Sequence, residues 1–167
     1  MNKPNKAIFL DRDGVINKER STYVKTISEL EIFSGVANSV KKLKDAGFLV
    51  VVVTNQSAVN RCLTNHDNIN DIHLYLQEYF RKNGTFIDGF YYCPHRPDEN
   101  CYCRKPKPGL LLKVVEELKI DLKASWMIGD SDSDIQAAKL AGCKSIKISV
   151  DMSFASAIRK ILNSIDS

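Results

Sequence analysis

The chain has 167 residues, 44% of them hydrophobic and 26% charged, the composition of a globular domain long enough to bury its own core. No apolar run approaches the roughly 18 residues of a bilayer span, and the opening residues MNKPNK lack the apolar segment of a secretory signal. The net charge of +4 is too small to argue for nucleic acid, and five cysteines without a secretory signal point to a reducing, cytoplasmic compartment, where clustered thiols hold metal more often than they pair.

Ala7-Ile8-Phe9-Leu10 reads as a buried parallel strand that runs into Asp11-Arg12-Asp13-Gly14. Ligands of open α/β sheets bind at that carboxyl edge. Two carboxylates there suit a divalent cation, and an ionised Asp is already a nucleophile. Alone, DxDG equally describes a turn or a fragment of a calcium loop. Residues 17–33 have no strong period and form a polar loop over the same edge, so Glu19 and Arg20 face either substrate or solvent.

Ser34 is expected to cap a helix that stops at Gly47, with Val36, Val40, Leu43 and Ala46 on one face. Leu49 to Val53 is a second buried strand and delivers Thr54, Asn55, Gln56 and Ser57 to the edge. Their hydroxyls and amides donate hydrogen bonds to anionic oxygens without adding charge. Thr64 or Asn65 caps a helix to about Gly84, and Phe86 to Tyr92 reads as an interrupted strand.

Cys93, His95, Cys101 and Cys103 then fall within eleven positions, as C-x-H and C-x-C. Four soft N/S ligands match a closed, structural tetrahedral zinc site. Arg104, Lys105 and Lys107 follow on a strip stiffened by Pro106 and Pro108, a rigid presentation of cations to a phosphoryl group. A helix runs from Pro108 and Gly109 through Leu118, and a strand, Trp126 to Ile128, ends at Gly129-Asp130. Ser131 or Asp132 caps the next helix, which ends at Gly142; a strand over 145–150 and a helix over 153–163 close the chain. The alternation predicts an α/β, doubly wound, mainly parallel sheet as one domain over residues 1–167, with a zinc loop at 93–103.

Carboxylates for a hard cation, an Asp nucleophile, a hydroxyl and a fixed ammonium at one edge suit phosphoryl transfer. The order DxDG, strand-terminal Thr, Lys, GDxxxD resembles the haloacid dehalogenase (HAD) phosphatases over residues 7–150. FLDRDGVIN, VVVTNQS, the CPH…CxC loop and CRKPKPG resemble the subgroup of heptose-bisphosphate and histidinol-phosphate phosphatases. The resemblance implies a Rossmann-like HAD fold with little or no cap, Asp11 as nucleophile and Asp13 as general acid and base. It implies Mg²⁺ on Asp11, Asp130 and the backbone carbonyl of Asp13, and zinc on the Cys/His set. Thr54 and Lys105 would stabilise phosphoryl oxygens, and Arg104, Asn55, Gln56, Ser57, Glu19, Tyr23 and Arg61 would line the substrate side.

Within that subgroup, Thr54-Asn55-Gln56-Ser57 followed by Arg61, and the Tyr91-Tyr92-Cys93-Pro94-His95 run, resemble the heptose enzymes. The five-residue zinc spacer resembles the histidinol enzymes. Ala58 and Cys62 stand where the heptose pattern favours Gly, and Ser131 where Lys is common. The reading implied is a monomeric phosphatase of small phosphorylated sugars, bound to neither nucleic acid nor membrane.

Overall fold

The computed structural model describes residues 4–165. Five parallel strands, β1 (Ala7–Leu10), β2 (Leu49–Asn55), β3 (Gly89–Cys93), β4 (Trp126–Gly129) and β5 (Lys144–Lys147), pair in the order β3-β2-β1-β4-β5. The first strand is central, with Phe9 opposite Val51 on one side and Met127 on the other. Successive crossovers therefore leave β1 in opposite directions, which opens a crevice at its carboxyl end.

Strand parity sorts the core into two layers. Ile8 and Leu10 pack with Val50 and Val52 against α1 (Val36–Asp45), α2 (His66–Lys82) and α5 (Phe154–Ile165). Ala7 and Phe9 pack with Val51, Val53 and Met127 against α3 (Gly109–Leu118) and α4 (Asp132–Ala141). Both faces of β1 are thus covered, which is why its sequence is continuously apolar rather than alternating. The sequence-expected doubly wound sheet is the one observed.

Several element ends differ from expectation: the second strand runs on to Asn55, the last helix spans Phe154–Ile165, and three further cases stand out. The residue before α1 is Gly35 at φ +77°, not Ser34; a left-handed turn, easy for glycine, aims the helix. Asp88 replaces the start of the third strand. Its N–H donates to the Val50 carbonyl, its carboxylate accepts from the Val50 N–H, and Lys44 Nζ closes on it at 2.6 Å, so ladder pairing begins only at Gly89. The last strand stops at Lys147, and Val150 lies fully exposed beyond it. Asn65 does cap α2, accepting from the Asn68 N–H at 2.8 Å.

No helix of the described residues is long and apolar enough to cross a membrane.

Candidate active site

At the carboxyl edge lies a cavity of about 560 Å³. Asp11, Asp13, Glu19, Tyr23, Thr54, Asn55, Gln56, Ser57, Arg61, Arg104, Lys105 and Asp130 all line it, with Arg20, Ser21 and Ser131. Residues from four segments far apart in sequence therefore share one crevice, as the strand ends require.

The reacting end is built around a buried ammonium. Lys105 Nζ donates to Asp134 Oδ1 at 2.6 Å and to the Val53 carbonyl at 2.9 Å, and lies 3.2 Å from Asp11 Oδ1. Burial alone would lower its pKa, but Asp11 and Asp134 outweigh burial and hold the lysine charged. Its backbone is fixed by Asn55, whose side-chain amide donates to the Lys105 carbonyl and accepts from the Lys105 N–H. Asp11 shows the opposite balance. Burial raises its carboxyl pKa, Lys105 pulls it back, and Asp134 and Asp13 push it further up, to about 7. A cation placed beside Asp11 relieves that crowding of negative charge.

Asp134 was not nominated from the sequence, although the GDxxxD spacing contained it. It is fully buried, with Oδ1 on Lys105 and Oδ2 accepting from the Ser131 N–H and hydroxyl. Removing Lys105 would strand the buried Asp134 charge, at a cost of roughly 3–5 kcal/mol.

Asp11, Asp130 and Asp134 offer carboxylate oxygens within 4.8 Å of one another, hard donors suited to a divalent cation. Because both oxygens of Asp134 are already committed, Asp11 and Asp130 are the members available to it. Gly14 makes room for them: at φ +85°, a Cβ there would sit 1.9 Å from the Asp130 carboxylate. Any side chain there would push the Asp130 carboxylate out of its place.

Asp13 points elsewhere. Its Oδ1 accepts from Arg12 Nη2 at 3.1 Å and Asn17 Nδ2 at 2.8 Å, and its Oδ2 from Gln56 Nε2 at 2.8 Å. The same Gln56 nitrogen lies 3.0 Å from the Thr54 hydroxyl, so Gln56 ties two strand-end groups together. Asn17 leaves its own Oδ1 buried without a partner, a penalty of roughly 1–3 kcal/mol. Turning the amide over would instead face that oxygen to a carboxylate.

The rim is looser. The Tyr23 N–H donates to the Arg20 carbonyl in a turn that holds Tyr23 at φ +65°, a left-handed conformation costing about 1–2 kcal/mol for a non-glycine. Arg61 lies near Ser57 Oγ, and Arg104 donates to the His95 carbonyl at 3.1 Å, which anchors it to the thiol loop.

In that loop, Cys93 Sγ lies 3.3 Å from His95 Nδ1, 3.6 Å from Cys101 Sγ and 3.0 Å from Cys103 Sγ; Cys101 and Cys103 are 3.7 Å apart. The three cysteines are free of disulfides and converge with His95 within 4.8 Å, a spacing and donor set that fit one tetrahedral soft metal. The cluster leans on the neighbouring segments through Asn60, whose amide donates to Glu99, and Lys107, which donates to the Cys101 carbonyl.

A sheet of this order thus carries, at its carboxyl edge, paired carboxylates over a buried Lys–Asp pair. The haloacid dehalogenase-like hydrolases match residues 6–142. The chain belongs to that family, and within it to the phosphatases. It is 43% identical over 141 residues, 84% of this chain and 81% of the relative, to the D-glycero-beta-D-manno-heptose-1,7-bisphosphate 7-phosphatase of Helicobacter pylori. The protein of the same name from Yersinia pestis is 41% identical over 142 residues, covering 81% and 75% of the two chains. Among solved structures, the D,D-heptose 1,7-bisphosphate phosphatase of B. bronchiseptica, complexed with magnesium and phosphate, superposes with a TM-score of 0.88 at 30% identity, over 95% of this chain and 99% of that one.

Proposed function

We propose that the protein removes the 7-phosphate of D-glycero-D-manno-heptose 1,7-bisphosphate, through a phosphorylated aspartate, in the synthesis of nucleotide-activated heptose for surface glycans. The observation that carries the chemistry is the buried Lys105 bracketed by Asp11 and Asp134 beside Asp13. The substrate rests on relatives near 40% identity that bear this name.

In the first step an Asp11 carboxylate oxygen bonds to phosphorus as the bond to the sugar oxygen breaks. Asp13 gives its carboxyl proton to that departing oxygen. In the second, Asp13, now a carboxylate, takes a proton from water as the water oxygen attacks phosphorus and the bond to Asp11 breaks. Lys105 and the Thr54 hydroxyl offset charge on the phosphoryl oxygens, and Lys105 needs no reorganisation because Asp134 and Asn55 already fix it. Asp11 and Asp130, with the Asp13 backbone carbonyl, would hold Mg²⁺, which supplies charge neutralisation at the transferred phosphoryl group. Cys93, His95, Cys101 and Cys103 would hold Zn²⁺ in a structural role. Arg20, Arg61 and Arg104 give the rim three cations for the rest of a phosphorylated sugar, and the polar groups of Glu19, Tyr23 and Ser57 face its hydroxyls.

The test is phosphate release from both anomers of the heptose bisphosphate and from histidinol phosphate, side by side, with ³¹P NMR to identify the phosphate lost. The expected outcome is loss of the 7-phosphate with the 1-phosphate retained, fastest on the β anomer named in the relatives. Faster release from histidinol phosphate would overturn the assignment of substrate but not of chemistry.

A further inference from the structure

Arg12, the residue between the two carboxylates of the DxD edge, is fully buried. A strand-end arginine beside a polar cavity has every reason to reach solvent, yet this one turns inward under Asp13. Its Nε and Nη2 lie 3.3 and 3.1 Å from Asp13 Oδ1, and Nη2 reaches Oδ2 at 3.3 Å. The remaining arm, Nη1, meets His73 Nε2 at 3.3 Å. A guanidinium only donates, so Nε2 is the acceptor and the ring proton sits on Nδ1. His73 is itself immobilised: it lies on α2, buried, stacked on Phe90 at 4.9 Å and edge-on to Tyr92 at 5.8 Å. Burial and the neighbouring Arg12 charge keep the ring neutral, which is the state an acceptor needs.

We infer that His73 and Arg12 are positioning residues for the acid–base carboxylate: His73 fixes the guanidinium plane, and the guanidinium fixes the plane of Asp13. The geometry supports this because a planar fork held at Nη1 has no rotation left with which to follow a moving Asp13. The two aromatic contacts extend the support from the catalytic loop to β3 and α2, neither of which lines the cavity. This inference rests on the acid–base role proposed above for Asp13.

The discriminating readout is leaving-group dependence. A general acid matters for an alkyl phosphate, whose departing oxygen needs a proton, and little for p-nitrophenyl phosphate, whose phenolate leaves unaided. His73→Leu should lower kcat on the sugar phosphate on the order of 10- to 100-fold, with KM nearly unchanged and a much smaller loss on p-nitrophenyl phosphate. His73→Gln, which restores an acceptor, should recover most of that loss. Arg12→Lys keeps the charge but not the fork, and should reproduce the leaving-group-selective defect. Asp13→Asn, assayed alongside, separates the two claims. If it shows no leaving-group-selective loss, the acid–base reading itself fails. If it does while folded His73→Leu keeps wild-type kcat, or loses activity equally on both substrates, the relay is overturned. Should His73→Leu not fold, Arg12→Lys decides by the same criterion.

Discussion

Two metal-type clusters sit at the same sheet edge and are held in opposite ways. The carboxylate cluster draws Asp11 from the end of β1, Asp130 from the end of β4 and Asp134 from α4, elements already locked by the buried core. Its geometry exists because the sheet exists. The thiol cluster draws its four ligands from one stretch of eleven residues, of which only Cys93 belongs to a strand and is buried. Its remaining ligands are partly exposed, with Cys101 and Cys103 packed against the outside of the core and His95 in the loop. A site imposed by the fold is ready before its ion arrives; a loop without a core takes much of its order from the ion. The two should therefore fail differently when broken.

The largest effect belongs to the first cluster. Asp11→Asn keeps the shape of the side chain and removes the attacking charge, so phosphate release should fall on the order of 10⁴-fold or more. Thermal stability should hold or rise, because Asp11 is crowded by burial and by Asp134 and Asp13. Turnover by the purified variant close to wild type would refute Asp11 as the nucleophile. Far-UV dichroism and a melting curve on the same sample establish that the fold is intact.

Breaking the second cluster should be milder in chemistry and different in kind. Cys101→Ser is expected to lose one bound zinc per chain and roughly 100-fold in kcat/KM, with only a modest fall in Tm. The link is covalent and short: Arg104 follows Cys103 directly and donates to the His95 carbonyl, so the loop positions the cations. Metal content by mass spectrometry, kinetics and melting on one preparation check this. A zinc-free variant with wild-type kinetics would show that the loop does not position Arg104 and Lys105.

The same contrast explains what could be read from the sequence. Strand-terminal chemistry was legible because an apolar run ending in Asp or Thr states both the strand and its edge; three such endings place Asp11, Thr54 and Asp130 together, and Lys105 joins them from the Pro-stiffened strip after the thiol loop. The thiol loop was legible because its ligands are close in sequence. Hidden were the supports: Arg12 and His73, sixty-one residues apart, meet only because α2 packs over β1's end. Asp88 looked like strand because nothing local says that its carboxylate will reach the Val50 N–H. Gly35 took the turn from Ser34 because the approach to α1 demands a positive φ, a requirement set by packing and invisible to capping rules. Of the rim residues, Arg61 was nominated by resemblance and Tyr23 by its place in the polar loop over the edge, and the fold brings both to the cavity wall.

The smallest expected effect lies beneath the carboxylate cluster, in how its support responds to acid. Burial and the Arg12 charge lower the His73 pKa from 6.5 to about 3, so the native ring stays neutral where the unfolded ring takes up a proton. The unfolded state binds more protons between those two values, and native stability must fall as pH drops from about 6.5 towards 3. Above that window the contribution is fully present. A complete proton difference changes stability by about 1.4 kcal/mol per pH unit, equivalent to about 3–5 °C in Tm for a chain of this size. His73→Gln removes the titrating ring while keeping an acceptor for Arg12. Its Tm should therefore fall less steeply than wild type between about pH 6 and 4, whatever its absolute stability at neutral pH. Differential scanning calorimetry across that range gives both slopes directly. Parallel slopes would mean that His73 is not held neutral in the native protein, and the acceptor geometry assigned to its Nε2 would fall with it.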